Sequence, residues 1–126
     1  MKSFIAAIVI ALVIVAGSSL YTRQLDGISE NMTEYNNEIM NLIHNDDFEG
    51  AVGQVYELTR YLDEKKISLS MIMDHSTLDK IESNLAELTG YVEGNNKTDA
   101  LAKARVLDVL FTYLPKNYKV KLENIL

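Results

Sequence analysis

The sequence has no cysteine and no tryptophan, and it has only one proline and six glycines among 126 residues. Without cysteine there is no disulfide framework, no thiol catalysis, and no zinc or iron–sulfur site built on thiolates. So little proline and glycine is atypical of linkers, collagen-like chains and turn-rich β-sandwiches. The fold must therefore be held by a helical core without covalent cross-links.

The short motifs that carry catalysis are also missing. The sequence contains no nucleophile elbow, phosphate-binding loop or dinucleotide-binding fingerprint. The two histidines, His44 and His75, lack the spacing of helical zinc and di-metal sites. We therefore expect a protein that is not an enzyme, with no catalytic, cofactor-binding or metal-binding residues and no cofactor.

A long apolar run opens the sequence. Twenty uncharged residues extend from Ser3 to Thr22, and at about 1.5 Å each they span about 30 Å, the thickness of a bilayer's hydrocarbon core. Ten of them are Leu, Ile, Val or Phe, which together favour membrane insertion by about 3–6 kcal/mol. This predicts an N-terminal membrane anchor over residues 1–23, in contact with the lipid bilayer through its helix.

The charges beside this run indicate its orientation. Lys2 precedes it, and Arg23 follows it, trailed by Asp26 and Glu30. The positive-inside tendency slightly favours a single-pass protein of the cell membrane with a cytoplasmic N-terminus and an extracytoplasmic remainder. The alternative is a signal peptide cleaved near the small residues Ala16–Ser18, which would leave a secreted protein.

Residues 24–126 form the second predicted domain. Their apolar residues recur at steps of three and four, the spacing of one helix face, and no stretch has the alternation of a strand. This predicts an all-α fold, in which the transmembrane helix continues into an antiparallel, up-and-down four-helix bundle. Stacked helical hairpins are the alternative, although no internal repeat supports them. The faces expected to pack are Leu25, Ile28, Met32, Tyr35, Ile39 and Leu42; Phe48, Val52, Val55, Thr59, Leu62, Leu69 and Met73; Leu78, Ile81, Leu85, Leu88 and Val92; and Ala100, Ala104, Leu107, Phe111 and Leu114.

Turn and capping residues predict where these helices begin and end. The first helix is expected to run unbroken from Phe4 to about Ile43, and the second to about Met73, with a break near Lys65–Ser68 as the alternative. Gly94 and the two asparagines after it should stop the third helix, and Pro115 should end the fourth, leaving a tail that forms a short helix of its own. Capping boxes are expected at Asp46 with Glu49 and at Ser76 with Asp79, and the fourth helix should begin at Thr98.

Charge is sorted along the chain. Residues 24–59 carry eight acids and no base, whereas residues 97–126 carry three acids and six bases. Nucleic acid is excluded as a partner, because its binding rests on a concentrated basic surface.

Acidic residues recur at every fourth position of the first soluble helix, at Asp26, Glu30, Glu34 and Glu38. Such a stripe is either a solvated outer face or a docking stripe for a basic partner surface or a divalent cation. In an up-and-down bundle the tail returns to the membrane, where each basic residue near anionic lipid contributes about 1 kcal/mol. These basic residues are Lys116, Lys119 and Lys121, and the same geometry also makes them neighbours of the acidic stripe.

The overall plan resembles a family of small Firmicutes proteins classed as domain of unknown function 4363. The resemblance is carried by the Met71–His75 turn followed by Leu78 and Ile81, by the Leu85–Val92 helix, and by the terminal Leu122–Leu126. It implies one N-terminal span, a helical extracytoplasmic part and partnership with polytopic membrane proteins. The family supplies no activity and no functional residues.

Together these observations predict a membrane-anchored extracytoplasmic bundle that serves as an accessory or scaffold subunit of another membrane protein. Its acidic first helix and basic tail are the expected contact surfaces, and self-association is left open. The alternative is a bundle that senses a small ligand and relays a shift through the membrane helix.

Overall fold

Four helices account for nearly all of the described chain, and short connections join them. The computed structural model describes the backbone of residues 2–125 and the side chains of residues 2–17 and 23–114. Its helices are α1 (Lys2–His44), α2 (Phe48–Ile72), α3 (His75–Glu93) and α4 (Lys97–Ile125). The all-α prediction is confirmed, and so are the unbroken first helix and the second helix without a break near Lys65–Ser68.

The helices form an up-and-down ring. Each packs against its neighbours in the chain, and α1 also packs against α4. Hydrogen bonds show that α1 and α4 are antiparallel, since they join Ser29 to Phe111, Asn36 to Ala104 and the His44 carbonyl to Lys97. The predicted topology of the bundle is therefore correct.

Apolar side chains from all four helices form one buried core. All five residues predicted for the inner face of α3 are buried, and so are all five predicted for α4. On α2 the prediction is correct in part: Val55, Leu62, Leu69 and Met73 are buried, as are Ala51 and Leu58, which were not predicted. Phe48, Val52 and Thr59 were predicted to pack inside but are half-buried. The core spans the bundle from the level of Leu25 and Leu114 to that of Ile43 and Ala100.

Helix caps depart from the prediction by one or two residues. Asp47, not Asp46, caps α2, and its Oδ1 accepts the backbone N–H of Gly50 at 3.0 Å. Gly50 permits this approach because a Cβ there would lie 2.6 Å from the other carboxylate oxygen of Asp47. Asp46 takes the left-handed backbone conformation, with φ 60°, whereas an N-cap residue typically has a β-region backbone.

The starts of α3 and α4 shift in the same way. α3 begins at His75 after Asp74, so Ser76 already lies inside the helix. The end of α3 is as predicted, since the helix stops at Glu93 before Gly94 and the positive φ falls on Asn95, at 55°. α4 begins at Lys97, where the Asn96 side-chain oxygen accepts the N–H of Asp99 at 3.2 Å.

The prediction that Pro115 ends the fourth helix is wrong, because α4 continues to Ile125 and includes the predicted separate tail helix. Proline within a helix has no N–H to donate to the carbonyl four residues earlier, and that carbonyl belongs to Phe111. The buried hydroxyl of Ser29 on α1 donates to this oxygen at 2.5 Å. The neighbouring helix thus supplies the hydrogen bond that proline removes.

The N-terminal part of α1 has a different surface from the rest. Nine large apolar residues between Phe4 and Val15 are exposed over 46–70% of their surface. No helix with described side chains combines the length and apolarity needed to cross a membrane. The membrane span therefore stays a prediction.

Candidate functional site

A surface groove lies between α1 and α2, about halfway along the bundle. It has a volume of about 340 Å³ and is lined by residues from both helices. The lining residues of α1 fall at positions 31, 34, 35 and 38, and those of α2 at positions 54 and 61, so each set lies on one side of its helix. They are Asn31, Glu34, Tyr35, Glu38, Gln54 and Tyr61.

Two tyrosines form the aromatic wall of the groove. The rings of Tyr35 and Tyr61 are half-buried, with centroids 5.6 Å apart and planes tilted by 44°. The hydroxyl of Tyr61 accepts a hydrogen bond from Nδ2 of Asn31 at 3.0 Å, which holds this ring against α1. Lys65 places its Nζ 5.8 Å from the centroid of Tyr61, within the range in which a ring face attracts a cation.

The predicted acidic stripe reaches the groove with only two of its four carboxylates. Each step of four residues advances about 40° around a helix of 3.6 residues per turn, so the stripe winds across the outer face of α1. Glu34 and Glu38 line the groove and are exposed. Glu30 is exposed and Asp26 is half-buried, and neither is a lining residue.

The carboxylates in the groove have no basic partner among the described residues. The four ion pairs found there engage other acids: Arg60 with Glu57, Lys66 with Glu82, Lys97 with Asp46 and Lys103 with Glu87. Hydrogen bonds to their glutamates raise the pKa of Arg60, Lys66 and Lys103. Glu34 and Glu38 make no such contact within the described part of the chain. The groove therefore combines two aromatic rings with two uncompensated negative charges.

The other predicted contact residues lie elsewhere. Lys116, Lys119 and Lys121 lie outside the residues whose side chains are described, so the structure does not test their proximity to Asp26. Among the described side chains, no three His, Asp or Glu residues are placed to hold a metal ion.

Two buried polar residues of α1 were missed by the sequence analysis. Ser29 is 6% exposed and Asn36 is fully buried. Nδ2 of Asn36 donates to the Ala104 carbonyl of α4 at 2.7 Å, whereas its Oδ1 is buried and makes no hydrogen bond. We call Ser29 and Asn36 the polar seam. The signal was present in the sequence, because both continue a 4, 3, 4, 3, 4 spacing through Leu25, Ser29, Met32, Asn36, Ile39 and Ile43.

Comparison with known proteins identifies the family. A family model described as Domain of unknown function (DUF4363) matches residues 20–125, most of the chain. The chain belongs to the DUF4363 family. The resemblance inferred from the sequence is thereby confirmed, and every residue of the groove in this DUF4363 protein lies within the matched range. No curated protein and no solved structure matches the chain.

Proposed function

We propose that this DUF4363 protein is a non-enzymatic, membrane-anchored helical bundle that serves as an accessory or scaffold subunit of another membrane protein. Its bundle lies outside the cytoplasm, and its N-terminus lies inside. The observation that carries the proposal is the continuity of α1, which joins an exposed apolar segment to the packed bundle in one 43-residue helix.

The energetics of the apolar segment support anchoring. A helix that is apolar on all sides belongs in an apolar environment, whereas a helix on the surface of a soluble protein has one polar face. The nine exposed residues between Phe4 and Val15 point in all directions around α1. In the sequence they belong to an uncharged run that extends to Thr22. Because α1 does not break after this run, the bundle would be held directly above the membrane surface.

The acidic groove supports the accessory role. An exposed groove with uncompensated carboxylates offers a complementary surface to a basic segment of a partner, and it lies on the same helix as the apolar segment. The competing proposal, a small-ligand sensor, requires a ligand that stabilises the purified protein in the absence of a partner.

Charge substitution tests the anchor. Arginine near the centre of a membrane helix costs about 2.5–3.5 kcal/mol, so Val9→Arg with Val13→Arg together cost about 5–7 kcal/mol and cancel the 3–6 kcal/mol that favours insertion. The double arginine variant should leave the membrane fraction under an alkaline carbonate wash, whereas the matched variant Val9→Leu with Val13→Leu should remain. Wild-type protein that washes off, or an arginine variant that remains, would contradict the proposal.

Cysteine labelling tests the topology, because the chain has no cysteine of its own. Asn95→Cys, between α3 and α4, should react with a membrane-impermeant maleimide on intact cells, whereas Ser3→Cys should react only after lysis. The intact mass should be that of the full chain. A chain beginning near Ser19 would instead establish a secreted bundle and refute the anchor.

Purification in mild detergent tests the accessory role. A stoichiometric complex with one other membrane protein, reproduced with the tag on either protein, supports it. A protein that purifies alone and gains thermal stability from a small molecule would favour the sensor instead.

A further inference from the structure

We propose that the groove between α1 and α2 receives an arginine side chain from a basic segment of the protein partner. This inference rests on the proposed accessory role and names the chemistry of the contact. It follows from three features of the groove: its aromatic wall, its uncompensated carboxylates, and the continuation of the acidic stripe beyond its edge.

The aromatic wall suits a planar cation. The faces of Tyr35 and Tyr61 are tilted toward each other at 5.6 Å, which leaves ring surface at the groove for a cation to cover. Lys65 already holds its Nζ over the Tyr61 ring, 5.8 Å from the centroid, which shows that this ring can face a cation. A guanidinium stacks on tyrosine better than an ammonium does, because it is planar and weakly hydrated.

The carboxylates favour arginine for a second reason. Glu34 and Glu38 lie one helical turn apart on α1, and both line the groove. A guanidinium has five N–H donors in a fixed fork and can pair with one carboxylate while it faces the next. Arg60 does not occupy these carboxylates, since it is paired with Glu57 at 2.6 Å.

The extent of the stripe indicates a polypeptide rather than a small molecule. From Glu30 to Glu38 the exposed acidic positions cover about 12 Å at 1.5 Å per residue, and Glu30 lies outside the groove lining. A small cation in the groove would meet only Glu34 and Glu38, whereas a segment with several basic residues would also meet Glu30. The groove is also open and near the lower end of the size of ligand pockets, so it would not enclose a drug-sized ligand.

Peptide binding to the full chain tests the proposal. The protein is held in nanodiscs of zwitterionic phosphatidylcholine, which carry no net charge to attract the peptide. The probe is an acetylated and amidated alanine-based peptide of thirteen residues with arginine at every fourth position, and its control has the neutral isostere citrulline at those positions. Calorimetry should detect saturable binding of the arginine peptide and none of the citrulline peptide.

Matched variants locate the contact. Glu34→Gln with Glu38→Gln should weaken binding of the arginine peptide by about tenfold, the sum expected from two exposed ion pairs. Asp63→Asn with Asp79→Asn removes the same charge from exposed positions outside the groove and should change the dissociation constant less than twofold. Equal weakening by both pairs of substitutions would show that binding depends only on the net charge of the protein, and would overturn the proposal.

A second pair of variants tests the aromatic wall independently of charge. Tyr61→Phe retains the ring, whereas Tyr61→Leu removes it, so the leucine variant should bind about 2–5-fold more weakly than the phenylalanine variant. Circular dichroism confirms that both fold. Equal affinities would show that the ring does not contact the cation.

The remaining outcomes separate this inference from the accessory role. Failure of the arginine peptide to bind the wild-type protein, or equal binding of arginine amide and of the peptide, overturns the inference. If the detergent-purified complex with a membrane partner survives Glu34→Gln with Glu38→Gln unchanged, the accessory role stands and the groove is not its contact. Loss of that complex in this variant, but not in the Asp63 and Asp79 control, supports both.

Discussion

The hydrogen bond from Ser29 to the Phe111 carbonyl should matter because Pro115 leaves that carbonyl without its helical donor. The bond is buried and joins residues 82 positions apart in sequence. Ser29→Ala removes this donor, and a buried carbonyl left without a partner costs about 1–3 kcal/mol. For a domain of this size each 1 kcal/mol lowers the melting temperature by about 4–8 °C.

A double-mutant cycle isolates this relation. Pro115→Ala restores an N–H that can donate to the Phe111 oxygen within α4, so Ser29→Ala should cost less in that background. The coupling free energy should be about 1 kcal/mol, within the range found for residues that share one hydrogen-bond network. Pro115→Ala alone should stabilise the protein, because alanine favours a helix interior over proline by about 3 kcal/mol in isolated helices.

Thermal unfolding of the full chain in detergent, followed by circular dichroism at 222 nm, measures all four proteins of the cycle. Ser70→Ala is the matched control, since its exposed hydroxyl donates to the Ile67 carbonyl within the same helix; the loss of this bond should change stability by less than about 0.5 kcal/mol. If Ser29→Ala lowers the free energy of unfolding by the same amount with proline and with alanine at position 115, the reasoning is refuted. A negligible cost in the wild-type background would refute it equally.

Three further predictions follow from single contacts. Asn36→Leu should leave the melting temperature unchanged or raise it, because it removes a buried oxygen without a hydrogen bond; a fall of several degrees would show that the bond to α4 outweighs that oxygen. Asp47→Ala should cost about 1 kcal/mol through loss of the α2 cap, whereas Asp47→Ser should cost less; equal losses would argue against capping. The Tyr56 hydroxyl donates to Glu93 at 2.6 Å, which raises the pKa of Tyr56 above its ordinary value of 10.0. The small stabilisation from this bond is present below pH 10 and lost as pH rises through the folded-state pKa; NMR titration with labelled tyrosine should show Glu93→Gln moving that pKa back toward 10.0.

The number, order and inner faces of the helices could be predicted because apolar spacing reports directly on burial. The inner faces of α3 and α4 contain only apolar residues at regular steps, and every one predicted there is buried. On α1 the same reasoning placed Tyr35 and Leu42 on the inner face, although both are half-buried. Reasoning from apolar spacing missed Ser29 and Asn36, because a polar residue at a core position looks like an interruption of the apolar spacing until its hydrogen-bond partner is known.

The errors at helix ends have two physical causes. Asp46 and Asp47 are adjacent, and the sequence pattern of an N-cap fits either of them. The backbone conformation decides which of the two caps α2. Pro115 was expected to end a helix because the rule considers one chain segment alone. The donor that compensates for it comes from Ser29, a residue far away in sequence. The groove escaped prediction for the same reason, since its two tyrosines lie on different helices.

The polar seam bears on the choice between an accessory subunit and a sensor. Ser29 and Asn36 donate hydrogen bonds to carbonyls of α4 from two positions about 10 Å apart along α1. Sliding α1 by one turn, or rotating it, would break both bonds and leave the Phe111 carbonyl and two polar side chains buried without partners, at about 1–3 kcal/mol for each group. A sensor that relays binding through α1 must move this helix against that cost. A rigid scaffold gains from the same bonds, because they hold α1 in one register against α4. The seam therefore favours the accessory role.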